Sequence, residues 1–224
     1  MNPIIISLGG SVIMQEKPDI EFLISFKELI LNLTKKDFQF VIFCGGGKIA
    51  RDYQDYARQF QDVSQESLDW IGIYATRLNA CLLKTMFDGN ADEEIITDPT
   101  KKIKFRANIK IASGWKPGWS TDYDAVLVGK QLKAKLVINI TNVDYVYDKD
   151  PKKNPDAKPI KEITWKGLRK MFPSDWQPGL NSPFDPVASR EAEKFGISVY
   201  IVGKDITNLK RLISGEKFAG TIIR

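Results

Sequence analysis

Val41-Ile42-Phe43-Cys44-Gly45-Gly46-Gly47-Lys48, running on into Ile49-Ala50-Arg51, is the stretch from which the architecture can be read. An apolar run of strand type ends in three glycines, and a helix-like segment carrying Lys48 and Arg51 begins at once. Glycines let backbone N–H groups approach an anion closely, and a helix N-terminus adds partial positive charge, so the stretch reads as a phosphate cradle. The plainer alternative is a tight strand-to-helix turn with no ligand. Gly45, Gly47 and Ala50 satisfy the dinucleotide fingerprint, yet residues 61–70 do not read as the acid-bearing second strand it requires. The ATPase P-loop fails as well: Ile42 stands where its first glycine belongs, and Lys48 is not followed by Ser or Thr.

The whole chain narrows the choices. Its 224 residues suffice for one sizeable core, as one domain or two lobes. No apolar run approaches the ~18–20 residues of a membrane span, and Met1 leads straight into a short strand, so a cytoplasmic protein is expected. Cys44 and Cys81 lack metal-ligand spacing and read as buried free thiols. Histidine is absent, which excludes Ser-His and Cys-His hydrolases and His-bound zinc. The net charge of +5 is most concentrated at Lys101-Lys102-Ile103-Lys104-Phe105-Arg106, a solvated loop without a nucleic-acid motif. Neither nucleic acid nor membrane is an expected partner.

Outward from the cradle, the pattern recurs. Ile4 to Leu8 is an apolar run ending in Gly9-Gly10-Ser11, and Ile109 to Ala112 breaks into Ser113-Gly114-Trp115-Lys116-Pro117-Gly118-Trp119-Ser120-Thr121-Asp122. Ile20, Leu23, Phe26, Ile30 and Leu33 predict an amphipathic helix from about Asp19 to Lys36. Further helices are expected at 47–60, 66–87, 121–133 with Ser120 or Thr121 as cap, 163–171, from near Pro183 to Gly196, and 205–213. Strands are expected at 39–44, 136–140, 198–202 and 221–223. Gly72, inside the 66–87 helix, costs about 1 kcal/mol against alanine, so either a helix–helix contact or a ligand approach is implied. Trp115 and Trp119 read as lid or core packing, or as a wall for a flat ring. Residues 88–106 resist reading, 148–159 form an exposed loop, and 173–182 form another, with Trp176, Pro178 and Gly179. Strand and helix alternate throughout, giving an α/β fold: three layers, α/β/α, with a mostly parallel central sheet and ligands at the strand C-terminal ends.

Three glycine turns converging on one crevice suit a ligand pair carrying several phosphates. The motifs, taken together, resemble the amino acid kinase superfamily and within it the uridylate kinases of archaeal type. The resemblance rests on Gly9-Gly10-Ser11, Gly45 to Arg51, Asp69-Trp70-Ile71-Gly72-Ile73, Thr76-Arg77-Leu78-Asn79-Ala80 and Pro117 to Asp122. It rests further on Thr141-Asn142-Val143-Asp144, Val146 to Lys153, Asn181 to Pro186 and Gly220 to Ile223. It implies one domain over 1–224, with a phosphate-acceptor side before about residue 120 and an ATP side after it. Gly10, Ser11, Gly47 and Arg51 would then hold ATP phosphates, and Gly46 would face the UMP phosphate. Asp69 would bind the UMP sugar. Lys116, Pro117, Gly118, Trp119, Ser120, Thr121 and Asp122 would wrap the UMP base and phosphate. Thr141, Asn142, Tyr147 and Asp150 would line the adenine and ribose pocket. Lys48, Arg51 and Asp122 are the catalytic candidates, Mg²⁺ would arrive with ATP rather than on a protein site, and the family's habit implies a homo-oligomer, a hexamer.

Phosphoryl transfer to a phosphate oxygen needs positioning and charge neutralisation rather than a base, so the missing histidine is no obstacle. Three departures stand out. Ser7 occupies the place of a lysine that many superfamily members carry, Lys116 and Trp119 stand where histidines are common, and Tyr145 replaces a glycine. The other readings are a non-catalytic nucleotide-binding regulator or storage protein of the same fold, and a kinase for another small phosphate such as isopentenyl phosphate.

Overall fold

A computed structural model describes residues 3–151, 153–171 and 183–224. Lys152, the expected loop at 173–182 and the Asn181-Ser182 part of the Asn181 to Pro186 motif lie outside them. In chain order the first half comprises β1 (Ile4–Leu8), α1 (Gly10–Ile13), α2 (Ile20–Thr34), β2 (Phe40–Cys44), α3 (Gly47–Ala57), α4 (Gln65–Met86) and β3 (Ile109–Ala112). The second comprises α5 (Thr121–Gln131), β4 (Leu136–Ile140), β5 (Val146–Tyr147), β6 (Pro159–Ile160), β7 (Glu162–Ile163), α6 (Trp165–Met171), α7 (Pro186–Phe195), β8 (Ser198–Val202), α8 (Ile206–Ile213) and β9 (Thr221–Ile223).

Among the described residues the main sheet runs β3-β2-β1-β4-β8-β9-β7. Every pairing is parallel except β8 with β9. The central strands are apolar almost without interruption because both faces are covered, as parallel sheets require. Alternate residues divide between the faces: Ile6, Leu8, Phe40 and Ile42 pack with Phe26, Ile30, Leu83 and Leu209, under α2, α4 and α8. Ile5, Val41, Phe43 and Val137 pack with Val126, Leu168, Ala188 and Ala192, under α5, α6 and α7. Phe26 is fully buried against Phe22 and Phe87, so Phe26→Ala would cost about 3–5 kcal/mol.

The helix ends follow the sequence closely. Asp19 accepts a bond from Phe22 N–H, Ser120 from Tyr123 N–H and Asp205 from Thr207 N–H, each satisfying an otherwise orphaned donor of the first turn. Other expectations need correction. Ile163 belongs to β7, so α6 starts only at Trp165, and the helix expected from near Pro183 starts at Pro186, capped by Asp185. The short strands β5, β6 and β7 carry too few residues to show a period. Cys81 is exposed, whereas Cys44 is buried. Residues 88–106 owe their course to long-range contacts: Asp92 accepts from Arg106 N–H and Ala107 N–H and pairs with buried Lys110.

The direction of winding reverses between β1 and β4, since β2 and β3 lie on one side and β8 on the other. Such a switch point opens a crevice beyond the strand C-termini. Gly9-Gly10, Gly45 to Gly47 and Thr141 all sit at that edge.

Candidate active site

Two of the glycine turns are built on each other. A side chain at Gly45 would come within 2.5 Å of Gly10 N, and one at Gly47 within 2.5 Å of Gly10 O; Gly47 also has φ +67°. No L-residue with a side chain fits there without moving backbone. The glycines therefore serve first to let β1 and β2 end side by side, leaving the start of α3 open beyond them.

Helix α4 ties the turns together along one face. Asn79 Nδ2 donates to Gly45 O at 2.7 Å, while the Thr76 hydroxyl accepts from Gly114 N–H at 2.8 Å and donates to Ile73 O. One carboxylate oxygen of Asp69 accepts from Gly118 N–H at 2.7 Å, the other from Gln65 Nε2 at 2.8 Å. Positions 69, 72, 76 and 79 recur at three- and four-residue steps, so a single helix face meets both outer turns.

Between these elements lies a cavity of about 190 Å³ lined by Gly46, Gly47, Arg51, Gln54, Asp69, Gly72, Thr76, Gly114, Trp119, Ser120 and Thr121, among others. Arg51 is exposed at its rim and has no ion-pair partner among the described residues. Two helix N-termini, of α3 and α5, point their first turns at this space. A guanidinium with unpaired backbone N–H groups is a site for a phosphate. Trp119 forms one wall, stacked on Tyr123 with centroids 4.1 Å apart. A larger cavity, about 730 Å³, lies beside β3 and is lined by both Lys101, Lys102, Lys104 and Arg106 and by Asp92, Glu93, Glu94 and Asp98. Its charges nearly cancel.

Not every expected residue meets in the cleft. Lys48 turns away, its ammonium held by Asp52 at 2.7 Å on the exposed side of α3. Lys116 lies over the Trp115 ring at 4.0 Å, exposed. Pro117 and Gly118 flank the lining rather than form it. Gly10 and Ser11 open α1 at the crevice edge, next to Gly47. Thr141, Asn142, Tyr147 and Asp150 follow β4 on the far side of the switch point. There Thr141 bonds with Val143, and Tyr147 meets Tyr145 edge-on at 6.3 Å.

Behind the cleft sits a group of carboxyls. Ser7 Oγ donates to Asp122 Oδ1 at 2.9 Å and Asp185 N–H donates to Asp122 Oδ2 at 3.3 Å. Burial, and next the charge of Asp185, push the Asp122 carboxyl up to about 7 despite those bonds. Burial pushes Asp124 up to about 8; one of its oxygens accepts from Trp115 N–H at 3.1 Å and the other, Oδ1, has no partner among the described residues. Asp185 is raised as well, again chiefly by burial, while it caps α7. Asp122 and Asp124 are thereby partly protonated near neutral pH, which spares the neighbouring anion site part of the repulsion it would meet from full carboxylates.

Gln54, Thr76 and Asn79 were not read from sequence as site residues. Gln54 had a legible signal: it stands between Ala50 and Ala57 on the buried stripe of α3, where a polar residue needs a partner. Its Nε2 donates to Leu68 O at 2.8 Å, and Gly72 leaves room for it, since a side chain there would meet Nε2 at 3.0 Å.

The family model described as the amino acid kinase family matches residues 2–203. A uridylate kinase of Pyrococcus abyssi is 37% identical over 227 residues, covering 98% of both chains. One from Methanothermobacter thermautotrophicus is 36% identical, covering 95% of this chain and 96% of its own. Among solved structures, a uridylate kinase of Archaeoglobus fulgidus superposes with a TM-score of 0.83 at 30% identity over the whole of both chains.

Proposed function

The chain belongs to the amino acid kinase family, and we infer that it works there as a uridylate kinase, moving the γ-phosphoryl group of Mg-ATP onto UMP to give UDP and ADP. The observation that carries this reading is the convergence of Gly46, Gly47, Arg51, Asp69 and Thr121, from separate segments, on one cleft at the β1/β4 switch point.

On this reading UMP lies in the Arg51 cleft on the side before about residue 120, its phosphate at Gly46 and at Arg51, its ribose at Asp69 and its base by Trp119. Arg51 lines the same cavity as Gly46 and Asp69 and so serves the acceptor phosphate rather than only the ATP phosphates expected for it. ATP comes from the side after residue 120, its phosphates over Gly10, Ser11 and Gly47 and its nucleoside along Thr141, Asn142, Tyr147 and Asp150. An oxygen of the UMP phosphate attacks the γ-phosphorus, the bond to the β,γ-bridging oxygen breaks, and the electron pair leaves with ADP. No proton has to be removed, because the nucleophile is already ionised. Arg51 and the α3 and α5 N-termini offset the charge that accumulates as the two nucleotides meet. The position of Arg51 makes it the principal cation, whereas Lys48 is engaged with Asp52. Asp122, hydrogen-bonded to Ser7 rather than to a cation, holds the base of α5 in place.

We place the protein in the cytoplasm as a homo-oligomer; no helix of the described residues is long and apolar enough to cross a membrane. Tyr53, Tyr56, Phe60, Tyr74 and Leu78 stand exposed on α3, its end and α4. At about two-thirds exposure they supply roughly 500 Å² of mostly apolar surface, most of what one side of a standard interface needs. A second copy of the chain is the occupant this face suits, and sedimentation of Tyr53→Glu/Tyr74→Glu as a smaller species than the parent would support it.

The decisive assay is ADP release from Mg-ATP with UMP, CMP, dTMP and isopentenyl phosphate in parallel. Turnover with UMP is expected. ATP binding without turnover on any acceptor would overturn the reading in favour of a nucleotide-binding regulator.

A further inference from the structure

We propose that Gln54 reads the acceptor base, admitting uracil and rejecting cytosine. The inference rests on the reading of the Arg51 cleft as the UMP site. Gln54 is only 5% exposed, and it lines that cleft two turns along α3 from Gly47 and one from Arg51, which places it about 4.5 Å farther along the helix axis than the guanidinium's residue.

Its carboxamide is not free to rotate. Nε2 donates to Leu68 O across the α3–α4 contact, and the flipped amide would set Oε1 against that carbonyl oxygen, lone pair to lone pair. One Nε2 hydrogen is thereby committed. Left for a ligand are Oε1 as an acceptor and the second Nε2 hydrogen as a donor, in a fixed order. Gly72 is what allows this, since a side chain at that position would press on Nε2.

Uracil offers the complement: N3–H as donor, flanked by carbonyl oxygens. Cytosine reverses the edge, with N3 as an acceptor beside an amino group. A freely rotating carboxamide would satisfy either base, but one pinned to Leu68 meets the cytosine N3 lone pair with its own oxygen. Sliding the ring by one position would restore a match, yet the phosphate and ribose are anchored at Arg51 and Asp69, so the base has no freedom to slide. A polar group fixed in a site of this kind discriminates by leaving its buried partner unpaired when the wrong ligand binds.

The test compares UMP, CMP and N3-methyl-UMP, by calorimetric binding and by kcat/KM with Mg-ATP, for the parent and for Gln54→Met, which keeps the length of the side chain without its amide. For the parent, UMP should be favoured over both CMP and N3-methyl-UMP by about tenfold or more. In Gln54→Met the preference should collapse to within about threefold, mainly through weaker UMP binding. Equal use of UMP and N3-methyl-UMP by the parent would overturn the proposal even if the variant does not fold, and so would a folded variant that keeps the full preference. Turnover on UMP without discrimination removes Gln54 while leaving the kinase reading intact. Selective binding of UMP without turnover does the reverse.

Discussion

The two sides of the switch point are held in different ways. On the side of Arg51, each backbone segment that meets the cleft is tied down by a buried side chain from another element: Asn79 to Gly45, Thr76 to Gly114, Asp69 to Gly118 and Gln54 to Leu68. Across the sheet, the segment after β4 is stitched mainly to itself, Thr141 to Val143, Asp148 to Lys158 and Asn154 to Asp150. The first arrangement is pre-organised, because its bonds cross between packed elements and none can relax alone. The second has the local bonds of an exposed loop, so its shape costs little to alter. The proposed acceptor side is thus the rigid template, and the proposed ATP side is where the protein can adjust.

The largest effect should come from removing the charge at the centre of the rigid side. Arg51→Ala is expected to lower kcat/KM for UMP by about 100-fold or more with the fold unchanged by circular dichroism. A loss below threefold would move the phosphate elsewhere. Next is the carboxyl group behind the cleft. Asp124 has a folded-state value of about 8 against an ordinary 3.8, so it is protonated in the fold where the unfolded chain is ionised. Its stabilising contribution is complete below about pH 4 and declines as pH rises through about 8, by up to about 1.4 kcal/mol per pH unit. Denaturation of Asp124→Asn beside the parent from pH 5 to 9 should show the variant flatter and relatively more stable at the alkaline end. An unchanged slope would mean that the group is ionised throughout.

The pins offer a direct contrast. Asn79→Leu should cost about 1–3 kcal/mol and raise KM for UMP, because Gly45 O loses its donor within the packed layer. Thr141→Val should cost less than about 1 kcal/mol and alter KM for ATP alone, as its bond spans two residues of a partly buried local turn. Equal costs from the two variants would erase the distinction between the sides. The smallest effect belongs to Lys48→Ala. The exposed Lys48–Asp52 pair is screened by solvent and adds little, so stability and turnover should both stay close to those of the parent, turnover within a factor of about three, measured by melting and steady-state kinetics.

Much of this was legible before any coordinates. The strand at 40–44 is apolar without a break, and that at 136–140 is interrupted only by Asn139, because parallel strands are covered on both faces, and the caps at Asp19, Ser120 and Asp205 announce themselves by residue type. The glycine turns fall where the strands end. The motif resemblance to the uridylate kinases came from the same residues, and it agrees with the family match over residues 2–203. Less could be read where the cause is distant in sequence. Residues 88–106 take their path from Asp92 bonding to Arg106, Ala107 and Lys110, and nothing local signals it. Lys48 and Arg51, one turn apart, look equivalent in sequence, yet only Arg51 faces the cleft.

Sequence alone determined the longer elements, their order and the chemistry available at the strand ends, because helix period, strand polarity and capping are local and each is written in a few adjacent residues, whereas α1 and the two-residue strands β5, β6 and β7 are too short to carry such a pattern. Tertiary structure alone decided which polar groups meet: that Gly10 and Gly47 touch, that Asp69 reaches Gly118, that Ser7 binds Asp122, and that Gln54 is pinned at Leu68 with one face left open. Those contacts join residues 14 to 115 positions apart, and their geometry follows from how the layers pack, which no local pattern encodes.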